Sequence, residues 1–198
     1  MSNVICVILA GGKSRRMGQD KAVLTIDNDT FLTHLINTFK SSYSVFVSLA
    51  ESNKFPHPGA GEIIDLRPGK GPLAGLESAF KQTDADLVFL TATDLPLGTL
   101  DLAKILIELI ENYDACVIRR SDGLVEPLFA VYSSSCLPHV QRLLDEGHYS
   151  FRELLETIRV RWVPESQIME HDLSKVLYNV NSPDDYQKVL HMLVWHNQ

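Results

Sequence analysis

The chain has 198 residues, enough to bury a substantial core, and is expected to form one domain spanning 1–198. Its 45% hydrophobic and 22% charged residues are a globular composition and exclude a disordered or collagen-like chain. Eighteen Lys and Arg against 25 Asp and Glu leave a net charge of −7, which argues against a nucleic-acid binder with its broad basic face.

Val4–Leu9 is a continuous apolar run with β-branched residues, the pattern of a strand buried on both faces. Extended to Ala10 it is still far short of the ~20 residues of a membrane helix. No basic stretch precedes it, so neither a signal peptide nor a membrane association is expected, and the expected location is cytoplasmic. Phe31, Leu32, Leu35, Ile36 and Phe39 recur at helical spacing, and Val45–Leu49 and Ile63-Ile64 read as the next strands. Pro72 suits the first position of a helix carrying Leu73, Leu76 and Phe80, because its missing N–H costs nothing there. Leu87–Leu90 is a further buried strand, followed by an apolar helix over roughly Leu100–Ile110. Strands at Ala115–Ile118 and Leu128–Tyr132 come next, then helix starts at Ser150-x-x-Glu153 and at Ser182-x-x-Asp185 with Pro183 just inside. Strands alternating with helices predict an α/β fold of three layers, α/β/α, around a mostly parallel sheet.

In such sheets ligands bind at the carboxyl ends of the strands. Four segments follow predicted strands and carry unusual residues. The first, Ala10–Lys21, holds the adjacent glycines Gly11 and Gly12, which let backbone approach a ligand without a Cβ in the way. Between Lys13 and Lys21 four cations (Lys13, Arg15, Arg16, Lys21) face one acid (Asp20), a local +3 suited to a triphosphate; the plainer reading is a solvated basic loop. Neither a P-loop nor a dinucleotide G-x-G-x-x-G fits: Val7 stands where the P-loop needs glycine, and Gly69-x-Gly71 is followed by Gly75, one residue too far. The second segment, Asp65–Gly75, alternates Pro and Gly and reads either as a rigid turn or as a Gly-walled surface for a base or ribose, with Asp65 accepting hydrogen bonds. The third, Thr93–Pro96, places Asp94 where it can either hold Mg²⁺ or simply cap a turn. The fourth, Asn179–Pro183, offers Asn179 and Asn181 on one side of an extended stretch, or else as helix-capping residues. Glu126, ahead of a strand, is either part of an acceptor pocket or an ordinary polar residue.

Cys6, Cys116 and Cys136 are sparse and odd in number, which fits a reducing compartment, and no C-x-x-C or G-x-S-x-G frame suggests zinc, redox or serine-hydrolase chemistry.

Taken together, Leu9-Ala10-Gly11-Gly12-x-Ser14-x-Arg16-Met17-Gly18-x-Asp20-Lys21, Gly71-Pro72-Leu73-Ala74-Gly75, Asp94-x-Pro96 and Asn179-x-Asn181-Ser182-Pro183 resemble the molybdenum cofactor guanylyltransferases, in that family's order and over nearly the whole chain. The Gly-Gly form of the first motif resembles the guanylyl branch more than the Ala-Gly form of cytidylyl relatives. The resemblance implies a Rossmann-like nucleotidyltransferase that transfers GMP from GTP to the terminal phosphate of molybdopterin, with Mg²⁺ as cofactor. It implies that Leu9, Ala10, Gly11, Gly12, Asp65, Gly71, Pro72 and Gly75 line the nucleotide site, and that Arg16 and Lys21 hold the triphosphate as catalytic cations. It also implies that Asp94 binds nucleotide and metal and acts in catalysis, while Asn179 and Asn181 lie near the acceptor phosphate or the metal. Molybdenum-cofactor insertion proteins and apo-molybdoenzymes are the implied protein partners. Ser48 stands where many relatives carry Asn, so no nucleoside contact is carried over to it. Two alternatives remain: transfer from CTP or to another phosphate acceptor, and a non-catalytic GTP-binding module.

Overall fold

The structure is a computed structural model that describes residues 2–10, 20–26 and 28–194. In chain order, strand β1 (Val4–Leu9) leads through a 3₁₀ turn (Lys21–Val23) and a two-rung hairpin, β2 (Thr25–Ile26) and β3 (Asp29–Thr30), into helix α1 (Phe31–Phe39). Strands β4 (Ser44–Leu49) and β5 (Gly61–Ile64) follow, then α2 (Pro72–Gln82), β6 (Leu87–Ala92) and α3 (Leu100–Leu109). The second half contains β7 (Ala115–Arg119), β8 (Val125–Ser133), α4 (Leu137–Glu146), α5 (Phe151–Thr157), β9 (Val160–Pro164), α6 (Leu173–Val176) and α7 (Pro183–Val194).

Seven strands form one sheet in the order β5-β4-β1-β6-β8-β7-β9. β1 pairs in parallel with both β4 and β6, in register from Ile5 with Ser44 and from Val4 with Leu87. β8 is the exception: it lies antiparallel between β6 and β7. Only residues 120–124 join β7 to β8, too few for the crossover a parallel partner needs, so the chain returns as a hairpin. The expected mostly parallel sheet is thus present, with one reversed strand.

Alternate residues of β1 feed opposite cores, as the period of a strand requires. Cys6 and Ile8 pack with Leu32, Leu35, Ile36 and Phe39 of α1 and Leu102 and Leu106 of α3. Ile5 and Val7 pack on the other face with Leu73 and Leu76 of α2, Val140 and Leu143 of α4 and Leu154 of α5. These two clusters are the helical layers of the three-layer architecture. The cysteines Cys6, Cys116 and Cys136 are free and buried, and burial pushes all three thiols up, the latter two to about 12. None of them is poised as a thiolate.

A third, small cluster positions the site. Leu24 ahead of the hairpin, Ile26 of β2, Phe31 of α1 and Leu97 beyond β6 pack against Val180, ahead of α7, and Val189 of α7. It fastens the C-terminal segment to the chain that follows β1 and β6. Among the described residues no helix is long and apolar enough to cross a membrane.

Candidate active site

The carboxyl ends of β1, β4, β5 and β6 open onto a cavity of about 470 Å³. Leu9 of β1, Ser48 of β4, Asp65 after β5, and Ala92, Thr93 and Asp94 around the end of β6 form its floor, with Lys21 beside them. Gly69, Gly71, Pro72 and Gly75 form the wall where the loop after β5 enters α2. Gly71 caps α2 at φ 78°, a left-handed conformation that a side chain resists, and Pro72 takes the first helical position as the sequence predicts.

One end of the cavity is built around Asp94. Asp20 caps the 3₁₀ turn, accepting from the Ala22 N–H at 3.3 Å, while its other oxygen takes Lys54 Nζ at 2.9 Å. That cap delivers Lys21, whose Nζ donates to Asn181 Oδ1 at 2.7 Å and lies 3.7 Å from Asp94 Oδ2. Asp94 Oδ1 is sealed from solvent and has no hydrogen-bond partner among the described residues. Burial pushes the Asp94 carboxyl above its ordinary range, and the Lys21 ammonium pulls the other way without prevailing. The Asp94 carbonyl accepts from the Val180 N–H at 2.8 Å, which clamps the Asn179–Asn181 segment against the end of β6.

Asn179 and Asn181 do not share one face, as an extended stretch would make them. The segment lies outside the sheet, and Asn179 reaches Glu126 (Nδ2 to Oε2, 3.1 Å) while Asn181 reaches Lys21. Glu126 is therefore more than a polar residue ahead of a strand. Burial pushes its carboxyl up, opposed by the Asn179 and Leu128 hydrogen bonds, and Asp94 adds to the rise.

The other end is built around Asp65. Its carboxyl is also pushed up by burial, and the Ser48 hydroxyl donates to Oδ1 at 2.9 Å. Ser48 is 3% exposed and spends its proton on Asp65. A Cβ on Gly75 would lie 2.6 Å from Leu9 Cδ2 and 2.9 Å from Ser48 Oγ, so only glycine lets α2 approach β1 and β4 this closely. Behind the loop, Arg67 pairs with the fully buried Glu77 at 2.9 Å and with Asp145 at 2.6 Å, pinning the segment between Asp65 and Gly71 to α2 and α4.

Leu9, Lys21, Asp65, Gly71, Pro72, Gly75 and Asp94 thus meet at one cavity, with Ala10 continuing β1 through its N–H to the Ser48 carbonyl at 3.0 Å. Gly11, Gly12 and Arg16 lie outside the described residues. Sequence reasoning missed the supporting roles of Ser48, Asp20, Lys54 and Arg67. Only Asp20, directly before Lys21, carried a local signal, that of a capping residue. Among the described residues no three His, Cys, Asp or Glu side chains gather as a self-sufficient metal site. A lone carboxylate with an unpartnered oxygen suits a hard cation shared with substrate phosphates, the usual manner of Mg²⁺.

A family model described as a MobA-like NTP transferase domain matches residues 6–162. The chain is 34% identical over 191 residues to a probable molybdenum cofactor guanylyltransferase of Carboxydothermus hydrogenoformans, covering 96% of each chain. It is also 34% identical over 188 residues to a probable molybdenum cofactor guanylyltransferase of Bacillus subtilis, covering 91% of each. In fold it is similar to the molybdopterin-guanine dinucleotide biosynthesis protein A of Archaeoglobus fulgidus, with a TM-score of 0.83 at 22% identity over 96% of this chain and 98% of that one.

Proposed function

Because the chain belongs to the MobA-like NTP transferase family, we propose that it moves the GMP moiety of GTP onto the terminal phosphate of molybdopterin, using a single domain over 1–198. A terminal phosphate oxygen attacks the α-phosphorus, a new P–O bond forms, and the bond to the β-phosphate breaks with release of pyrophosphate. The product is molybdopterin guanine dinucleotide. The observation that carries this reading is the Lys21 ammonium held between Asn181 and Asp94 at the strand ends, in a chain 34% identical to named guanylyltransferases.

Phosphoryl-type transfer needs positioning and charge neutralisation more than a protein nucleophile. Leu9, Ala10 and the Gly71–Gly75 wall would hold the nucleoside, with Asp65 accepting from it and Ser48 fixing the Asp65 carboxylate. Gly11, Gly12 and Arg16 belong to the same proposal as phosphate-loop residues. Lys21 would contact the triphosphate and neutralise charge that grows as pyrophosphate leaves. Asn181 and Asn179 would face the acceptor side. Asp94 is the residue proposed to hold Mg²⁺, because its Oδ1 is buried without a partner among the described residues. When bound there, Mg²⁺ supplies positive charge to the phosphate oxygens.

The test is product analysis after incubation with molybdopterin, Mg²⁺ and each of GTP, CTP and ATP. Molybdopterin guanine dinucleotide and pyrophosphate are expected with GTP, and preferential use of CTP, or nucleotide binding without turnover, overturns the reading. Asp94→Ala is expected to lose about 10²–10³ in rate, and unchanged pyrophosphate release from that variant would remove Asp94 from the mechanism.

A further inference from the structure

We propose, resting on that functional reading, that Glu126 is a positioning residue: it fixes the Asn179 amide so that the carbonyl oxygen, not the NH₂ group, is what Asn179 offers to a ligand beside Asp94. The argument is one of donors and acceptors. Glu126 accepts on both oxygens, from the Leu128 N–H at Oε1 (3.1 Å) and from Asn179 Nδ2 at Oε2 (3.1 Å). A carboxylate only accepts, so the edge of Asn179 that faces it must be the NH₂ edge. Asn181 is set in the opposite sense, because the Lys21 ammonium only donates and therefore claims its Oδ1 at 2.7 Å. Two asparagines two residues apart thus present opposite groups: an acceptor oxygen from Asn179 and an NH₂ donor from Asn181. The Val180 N–H bound to the Asp94 carbonyl holds both beside Asp94. A donor at Asn181 suits a phosphate oxygen, and an acceptor at Asn179 suits a cation or a hydroxyl.

Glu126→Gln separates this role from volume. The Leu128 N–H belongs to β8 and cannot turn away, so it keeps the Gln oxygen and leaves the Gln NH₂ toward Asn179. Asn179 must then reverse and offer its own NH₂ to the ligand. With GTP and molybdopterin as substrates, Glu126→Gln is expected to lower kcat about 10- to 100-fold, the usual cost of losing a partner that orients a site ligand. The KM for GTP should stay within about twofold, since Lys21 and Asp65 are untouched. Adding Asn179→Asp to Glu126→Gln should restore most of the lost kcat, because Asp accepts from the Gln NH₂ and again offers an oxygen. A turnover-independent readout is the side-chain amide NMR signal of Asn179, identified by its loss in Asn179→Asp, which should shift in folded Glu126→Gln. An unshifted signal, a wild-type kcat in Glu126→Gln, or a double variant no faster than Glu126→Gln overturns the proposal. If the wild-type protein makes no guanylyl product, the functional reading fails instead, and the amide signal still decides whether Glu126 sets Asn179.

Discussion

A methyl group at position 75 has no free space. Ala is the better helix former by about 0.5–1 kcal/mol, yet its Cβ would sit 2.6 Å from Leu9 Cδ2 and 2.9 Å from Ser48 Oγ. Overpacking of that kind costs about 1–3 kcal/mol, so Gly75→Ala is expected to destabilise the fold modestly despite the gain in propensity. The functional effect should be larger. Leu9 would be pushed into the cavity and the Ser48 hydroxyl turned off Asp65, a hydrogen bond to a carboxylate worth about 1.5–3 kcal/mol. The KM for GTP should therefore rise on the order of 10- to 100-fold, checked by steady-state kinetics alongside a thermal melt; an unchanged KM would separate Ser48 from nucleotide binding. The position of this glycine was legible as a Gly-walled surface, but its packing reason was not, because Leu9, Ser48 and Gly75 are joined only by the sheet. Asp94 was legible for a local reason: it directly follows an apolar strand. Ser48 was not, since it acts on Asp65, a partner distant in sequence. Glu126 was legible only as two open readings, an acceptor-pocket residue or an ordinary polar one, because its partner Asn179 is also remote in sequence.

Helix α7 shows how an element boundary sets the site. Ser182 Oγ accepts from the Asp185 N–H at 3.2 Å, while the Asp185 carboxylate takes the Ser182 N–H at 3.0 Å and the Asn181 N–H at 3.1 Å. Both halves of the reciprocal cap are made, as the Ser182-x-x-Asp185 spacing predicts. At α5 the same spacing yields only half: Ser150 accepts from the Arg152 N–H, and Glu153 turns to His148 at 2.8 Å. Asp185→Ala is expected to cost about 1–2 kcal/mol, lowering the melting temperature by a few degrees. It should also lower turnover, because the backbone that carries Asn181 loses its anchor. A variant that melts earlier with wild-type kcat would uncouple the cap from the site. Elements with strong apolar runs, β1, β4 and β6, were readable from the sequence. The amphipathic α4 begins at Leu137-Pro138, and β9 is an edge strand carrying Arg161, so neither shows the continuous apolar signature of a buried element.

Across the whole molecule, the two ends of the sheet handle carboxylates in opposite ways. At the carboxyl ends, burial raises Asp94, Asp65 and Glu126, so their charged forms cost stability in the unliganded protein. At the amino end of β7, Asp114 is lowered to about 2, first by the Arg159 side chain, with Ser135 and the Arg159 N–H also donating. That carboxylate ties β7 to β9 and to the turn before α4, and no feature of the sequence singled it out. Asn substitutions at Asp94 and Asp114 should therefore move stability in opposite directions. At pH 7 the unliganded Asp94→Asn protein should melt above wild type, because it carries no buried charge. The gap should close on acidification, since a raised folded pKa means that wild-type Asp94 takes up its proton in the folded state before the unfolded chain does. Asp114→Asn should melt below wild type at pH 7 by about 1–2 kcal/mol, toward the low end for a charged hydrogen bond because Arg159 is mostly exposed. Its gap persists above the ordinary carboxylate value of 3.8 and closes as pH falls from there toward about 2, where the folded state also protonates. Thermal melts of the three proteins from pH 8 to pH 2, without nucleotide or metal, make the comparison. If Asp94→Asn melts below wild type at neutral pH, attraction to Lys21 outweighs burial, and the crevice does not trade stability for a charge held ready for substrate.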